Sequence, residues 1–235
     1  MWKKEILTET VFVYTSPEHR FGTDAFLLSE FSAWKKKDLV CDLGTGCGII
    51  PMILQRNKPP AHVWGVDIQE QAIEQFQKAI NECGFESRIT PVCADLKTLW
   101  DDAPLEKLDL VICNPPYKAY NAGIESSMTA QKIARHEILC NIFDVCNSAK
   151  KLLRYGGRLC ICNRPERLSD CIYAMKQNGI EPKRIRFVAK TPEDAPWLFL
   201  LEGRKGGKPF LNIMPQLHVC DSIEVHNFYH GGNNS

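Results

Sequence analysis

The 235-residue sequence predicts an α/β fold, a mostly parallel sheet with helices on both faces. Three observations predict it. From residue 39 onward, short apolar runs alternate with helical patterns. A glycine-rich turn follows the first of those runs. Acidic residues, then an asparagine, stand at the ends of four successive runs, where open α/β sheets bind ligands.

The elements follow in order. Leu39-Val40-Cys41-Asp42-Leu43 reads as the first strand, and Gly48 to Arg56 as a helix with Pro51 in its first turn. Val63 to Asp67 is the second strand. Ala72, Ile73, Phe76, Ala79, Ile80 and Cys83 recur at three- and four-residue spacing and form one face of a helix, which Gly84 stops. Ile89 to Cys93 and Leu108 to Cys113 are the third and fourth strands. Ile138, Leu139, Ile142, Cys146, Ala149 and Leu153 line a second long helix, with Gly156-Gly157 expected to end it. Arg158 to Cys162 is the fifth strand, and a helix near Glu166–Asn178 follows. Ile185 to Ala189 and Trp197 to Leu201 read as the last strands. Residues 1–210 are expected to form one domain with a short N-terminal extension, and 211–235 a partly frayed tail.

Composition narrows the function. With 44 % hydrophobic and 24 % charged residues, the chain is neither disordered nor fibrous. No apolar run reaches the ~20 residues that span a bilayer, and no signal peptide opens the chain. The 11 cysteines contain no Cys-x-x-Cys pair, and an odd count without an export signal points to reduced thiols in a cytoplasmic protein. The 6 histidines lack ligand spacing, so no metal is expected. Net charge is +1, but residues 150–210 carry +8. Such a stretch suits a local nucleic-acid footprint, although a solvated lysine-rich face accounts for it as simply.

The turn after the first strand is Asp42-Leu43-Gly44-Thr45-Gly46-Cys47-Gly48. Alternating glycines let a backbone approach a ligand closely. A dinucleotide site would need a third glycine where Ile49 stands, and Asp42 would repel a pyrophosphate. A cationic ligand such as S-adenosylmethionine, with its sulfonium and ammonium, suits the carboxylate better. Asp67, followed by Ile68, ends the second strand and can accept both ribose hydroxyls of an adenosine. Asp95, after the third strand, can take the adenine amino group or simply serve as a turn residue.

Asn114-Pro115-Pro116-Tyr117 after the fourth strand is the most informative tetrapeptide. An amino group on a planar ring has its lone pair delocalised and is a poor nucleophile. Two acceptors that take its two hydrogens free that lone pair. The Asn114 amide oxygen and the Pro115 carbonyl are such a pair, because proline adds no competing donor. Pro116 stiffens the loop, and Tyr117 offers a face on which a base stacks.

With these residues the chain resembles class I S-adenosylmethionine-dependent methyltransferases, and more narrowly the bacterial tRNA1(Val) adenine-37 N6-methyltransferase family. The more specific similarity lies in Phe21–Leu28, Ala134-Arg135-His136-Glu137, Arg164-Pro165-Glu166-Arg167-Leu168 and Gly203–Pro209. Asn163 and Gln216 stand where that family suggests histidine and proline. The resemblance implies a Rossmann-like sheet of seven strands in the order 3-2-1-4-5-7-6, strand seven antiparallel. It also implies S-adenosylmethionine as cofactor and tRNA as partner. Asn114 to Tyr117 would be catalytic. Gly22, Thr23, Asp42, Gly44, Gly46, Gly48, Asp67, Ile68, Asp95 and Asn114 would hold the cofactor. Arg135, Lys183, Arg184, Arg186, Lys190, Arg204, Lys205 and Lys208 would meet RNA.

Three other readings compete. Protein-glutamine N5-methyltransferases also use Asn-Pro-Pro-Tyr, but they carry a helical domain ahead of the core, and only 41 residues precede Asp42. A non-enzymatic RNA-binding module would have no need of Asp67 and Asn114. An NAD oxidoreductase is disfavoured by the glycine spacing.

Overall fold

In the computed structural model, residues 2–17, 19–56, 58–115 and 141–220 are described. The strands are β1 (Lys3–Ile6), β2 (Phe12–Thr15), β3 (Leu39–Leu43), β4 (His62–Asp67), β5 (Ile89–Cys93), β6 (Leu108–Cys113), β7 (Leu153–Asn163), β8 (Ile180–Ala189), β9 (Leu198–Lys205), β10 (Asn212–Ile213) and β11 (Leu217–His218). The helices are α1 (Thr23–Ser32), α2 (Ile49–Leu54), α3 (Glu70–Cys83), α4 (Ile142–Leu152) and α5 (Leu168–Gln177).

The sheet runs β10-β8-β9-β7-β6-β3-β4-β5, with β9 antiparallel to both neighbours. Counting from β3 as strand one, the seven long strands follow the expected 3-2-1-4-5-7-6 order. Side chains alternate across this sheet because the strand period is two. Val40, Val63, Leu110, Ile112, Cys160 and Cys162 face α1, α2 and α3. Cys41, Leu43, Val66, Val111, Cys113, Leu159 and Ile161 face α4 and α5. Burial on both faces explains why these strands read as near-continuous apolar runs.

Helix α3 buries Ala72, Phe76, Ala79 and Ile80 and ends at Gly84, whose φ of 72° is the left-handed stop expected of it. Helix α4 begins with a reciprocal cap. The Asn141 side chain accepts from the Asp144 N–H, and the Asp144 carboxylate accepts from the Asn141 N–H. The earlier start proposed at Ile138 and Leu139 lies outside the described residues.

Four expectations need correction. Helix α4 stops at Leu152, and β7 begins at Leu153 rather than Arg158. Gly156-Gly157 is not a helix stop but an irregularity inside the strand. The pairing of β6 with β7 shifts between Leu108 and Leu110, Gly156 has φ +77°, and a Cβ on Gly157 would come within 2.8 Å of the Leu108 carbonyl. The last two long strands extend further, β8 starting at Ile180 and β9 ending at Lys205. The first part of the supposed tail is sheet: β10 and β11 pair parallel with β8, and Leu217 is buried. Residues 221–235 lie outside the described residues. The N-terminal extension is a β1–β2 hairpin packed on α3.

Helix α1 is anchored at its C-terminal end. Its final carbonyls accept from arginines in the middle of β7 and β8: Ser32 from Arg158 at 2.6 Å, and Phe31 from Arg184 at 2.6 Å. Both arginines pair with the buried Glu202, and Arg158 also pairs with Asp38. These cations satisfy carbonyls that a helix end leaves orphaned.

Candidate active site

Strands β3, β4, β5 and β6 are parallel, so their carboxyl ends share one edge. Asp42 is level with Gly65 on one side and Ile112 on the other, and Asp67 is level with Cys93. This gathers Asp42, Asp67, Asp95 and Asn114 at the switch point between β3 and its neighbours.

The glycine loop is rooted on β4. Gly44 and Thr45 N–H groups donate to the Val66 carbonyl at 2.8 and 2.9 Å, and Gly46 N–H donates to Asp67 Oδ2 at 2.8 Å. Gly44 and Gly46 have φ of +77° and +54°, and a Cβ on either would meet nothing within 4 Å. Open space over a left-handed backbone is a place for a ligand to lie against. Gly48 differs. Its φ is +80°, and a Cβ there would fall 1.9 Å from the Phe76 ring, which also occupies the space beside Gly65. Gly48 therefore serves packing of α3 on the sheet.

Asp42 is 1 % exposed, and its Oδ1 has no hydrogen-bond partner among the described residues. Burial pushes its carboxyl up to about 7; the nearby Thr45 hydroxyl opposes the shift and the Asp67 charge adds to it. A buried carboxylate short of a cation is a site made for one. Burial pushes the Cys47 thiol of the same loop up to about 12, so it stays protonated and offers no nucleophile.

Asp67 uses both oxygens on the backbone, Oδ2 on Gly46 and Oδ1 on the Gln69 N–H at 3.0 Å. Oδ1 also accepts a longer bond from the Gln69 side chain at 3.5 Å, so a ligand hydroxyl there would compete with Gln69 Nε2. Ile68, 49 % exposed, offers an apolar wall beside it. Asp95 has the turn role that competed with adenine contact, its Oδ1 accepting from Lys97 N–H at 2.9 Å, while staying partly exposed at the rim. Gly22 precedes α1 in extended backbone, with Thr23 as its first residue.

Asn114 follows β6 directly and is half-buried, as is Pro115. The Cys162 thiol donates to Asn114 Oδ1 at 3.2 Å. Sequence reasoning missed this contact, because Cys162 reads as one more small apolar residue in a strand; only the pairing of Cys113 with Ile161 brings it alongside Asn114. Pro116, Tyr117 and Arg135 lie outside the described residues.

The basic residues divide. Arg184 is committed to Glu202 and the Phe31 carbonyl. Lys205 Nζ closes the end of α4, donating to the Lys150 and Leu153 carbonyls at 2.7 Å each, and pairs with Glu106. Lys183 donates to the Lys208 carbonyl and Arg186 to the Pro215 carbonyl. Arg204 is level with Arg158 in the middle of β7, and β9 runs from there away from the Asn114 end, so Lys205 and Lys208 follow it in that direction. Lys190, exposed just beyond β8, is at the Asn114 end. Arg184 and Lys205, both expected to meet RNA, therefore have structural work of their own.

The donor set fits S-adenosylmethionine: Asp42 would answer its cationic groups, Asp67 a ribose, and the open face of Gly44 and Gly46 would lie against it. Among the described residues no His, Cys, Asp and Glu cluster could hold a metal, and no helix is long and apolar enough to cross a membrane.

Residues 6–177 match the family model described as methyltransferase small domain. The chain is similar to the tRNA1(Val) (adenine(37)-N6)-methyltransferase of Parabacteroides distasonis, 27 % identical over 78 % of this chain and 76 % of the relative. The protein of that name from Porphyromonas gingivalis is 28 % identical over 88 % of this chain and 81 % of the relative. The one from Histophilus somni is 29 % identical over 60 % of this chain and 58 % of the relative. Among solved structures, a predicted O-methyltransferase from Agrobacterium tumefaciens superposes with a TM-score of 0.72 at 21 % identity, covering 88 % of this chain and 96 % of that one. M. jannaschii TYW2 in complex with AdoMet superposes at 0.55 and 12 % identity, covering 86 % and 85 %. The family match over most of the chain, the strand order and the acidic strand ends agree. The chain belongs to the methyltransferase small domain family and is a class I, S-adenosylmethionine-dependent methyltransferase.

Proposed function

We propose that this enzyme methylates the N6 of an adenine in tRNA, and that adenine 37 of tRNA1(Val) is the target. One observation carries the reading: Asn114, followed by Pro115, stands at the carboxyl end of β6, next to the strand whose end bears Asp42. The names of the relatives support the RNA and the position.

Bound S-adenosylmethionine would supply the methyl group, its S–CH3 bond breaking as N–CH3 forms, so that S-adenosylhomocysteine leaves and the nitrogen gives one proton to solvent. Asp42 and Asp67 fix the donor's polar parts, and the Gly44–Gly46 backbone lets it lie close. The Asn114 oxygen and Pro115 carbonyl accept the two hydrogens of the target amine, which turns its lone pair outward. Tyr117 stacks on the base once it leaves its neighbours. Rate comes from alignment and from acceptors placed where positive charge develops on nitrogen. No covalent intermediate with the enzyme is needed. RNA affinity draws on exposed cations at the Asn114 end, Lys190 among them, and less on those at the opposite end.

The test is incubation with methyl-labelled S-adenosylmethionine and tRNA from cells lacking this enzyme, then digestion to nucleosides. Label in N6-methyladenosine from tRNA1(Val) is expected. Label in another adenine would move the target, and label only in protein glutamine would overturn the reading.

A further inference from the structure

We propose that Ser148 is a positioning residue for the cofactor, its hydroxyl pinning the turn that carries Asp95 so that the carboxylate meets the adenine amino group. This rests on S-adenosylmethionine as the cofactor and not on which RNA is methylated.

A buried serine in a helix ordinarily gives its hydroxyl to a carbonyl about one turn back. Ser29 and Ser32 of α1 do so, donating to the Ala25 and Ser29 carbonyls at 2.7 and 2.6 Å. Ser148 of α4 is as buried, at 0 % exposure, yet it donates to the Leu96 carbonyl at 2.7 Å, 52 residues earlier in the chain. A carbonyl only accepts, so the direction of this bond is settled.

Leu96 is the residue after Asp95. On the other side, the Ala94 N–H donates to the Asp67 carbonyl at 3.0 Å. The turn is thus tied to the end of β4 just before Asp95 and to α4 just after it. Between the ties, the Asp95 carbonyl accepts from the Thr98 and Leu99 N–H groups, and its Oδ1 from the Lys97 N–H at 2.9 Å. Its Oδ2 faces the Lys97 ammonium at 3.8 Å, and the side chain stays 31 % exposed at the rim. Leu99 closes the turn at a φ of 61°, which a residue with a Cβ resists, so the turn needs support from outside itself. Leu96, Leu99 and Trp100 lean on the apolar cluster that includes α4. The Ala94 tie joins backbone to backbone and asks nothing of the side chains. The Leu96 tie is written in one side chain, Ser148. An amino group donates and a carboxylate accepts, and such a bond weakens steeply when its ends move out of line.

The experiment measures two affinities by calorimetry, with circular dichroism for folding. One ligand is S-adenosylhomocysteine; the other is its purine analogue, in which hydrogen replaces the 6-amino group. The proteins are the wild type, Ser148→Ala, Ser148→Cys and Asp95→Ala. A hydrogen bond to a charged acceptor predicts about a ten- to hundredfold preference of the wild type for the adenine compound. Asp95→Ala should abolish that preference. Ser148→Ala should lower it by about three- to tenfold through the adenine compound alone, with affinity for the purine analogue unchanged. Ser148→Cys, a weaker donor of similar size, should fall between, and takes the place of Ser148→Ala if that variant does not fold. Equal losses for both ligands overturn the positioning role, since the serine would then only support the pocket. An unchanged preference in Ser148→Ala overturns it too. No preference in the wild type, or one that survives Asp95→Ala, removes Asp95 from the adenine and the role of Ser148 with it. None of these outcomes bears on the tRNA reading, which methyl transfer to RNA decides.

Discussion

The Asp67 carboxylate accepts the Gly46 N–H at 2.8 Å, which ties the second strand's acidic end to the middle of the glycine loop. One side chain thus shapes the loop at the strand end proposed to hold the cofactor. Asp67→Ala should weaken S-adenosylmethionine binding by about 1.5–3 kcal/mol while the protein stays folded. Titration calorimetry, with circular dichroism for folding, reads both. Wild-type affinity in the folded variant would remove Asp67 from the site.

Asp42 makes the ligand-free enzyme sensitive to pH. Its folded-state pKa of about 7 lies above the ordinary 3.8. The folded state therefore holds its proton more tightly than the unfolded state does. Stability from this group is full below about pH 4, falls as pH rises, and is gone above about pH 7. Asp42→Asn should raise the melting temperature at pH 8, by on the order of a few kcal/mol in stability, and the gain should shrink toward pH 4. The same variant should lose cofactor affinity. In the wild type, a cationic ligand should drive off the proton, so affinity should rise from pH 5.5 to 8. Calorimetry in buffers of different ionisation enthalpy would detect the released proton.

Gly46→Ala and Gly48→Ala should fail differently. Gly48→Ala puts a methyl into the Phe76 ring at a positive φ, and should cost about 3 kcal/mol or more of stability. Gly46→Ala pays only the backbone strain of its positive φ, about 1 kcal/mol, but occupies the space open to the cofactor. Chemical denaturation and cofactor affinity together separate them: a large affinity loss with modest destabilisation for Gly46, and the reverse order for Gly48.

Lys205 and Lys190 also part company. Lys205→Ala removes the cation closing α4 and should cost about 1–2 kcal/mol of stability, with little change in RNA affinity. Lys190→Gln should leave stability alone and lower the salt dependence of RNA binding by about one charge. Filter binding at several salt concentrations, beside thermal melts, decides between these assignments.

Much of this was legible because buried parallel strands are written as apolar runs, and because the strand ends carry polar residues that such runs otherwise exclude. Asp42, Asp67 and Asn114 were visible for that reason. Gly156-Gly157 misled because the same dipeptide serves a helix stop and a strand irregularity, and only the Leu108 carbonyl beside it decides. The β8 start was hidden by Pro182 and the charged residues around it, where the pairing shifts register. Arg184 and Lys205 read only as nucleic-acid contacts because charge says nothing about direction; their intramolecular partners, Glu202 for Arg184 and the Lys150 and Leu153 carbonyls for Lys205, are distant in sequence. The contact of Cys162 with Asn114 was invisible, since it arises from a neighbouring strand.

The short strands β10 and β11 have a consequence for solubility. On its outer side β8 has no long strand beside it, so its ladder groups there would stand open to solvent. The segment 212–220 occupies them: Met214, Val219 and Cys220 N–H groups donate to the Ile185, Ala189 and Lys190 carbonyls. Pro215 interrupts the segment, so it cannot itself become a continuous template for another chain. A chain cut at residue 210 would keep the catalytic loops yet uncover the β8 edge between Arg184 and Ala189, and its failure would show first as self-association rather than as lost chemistry.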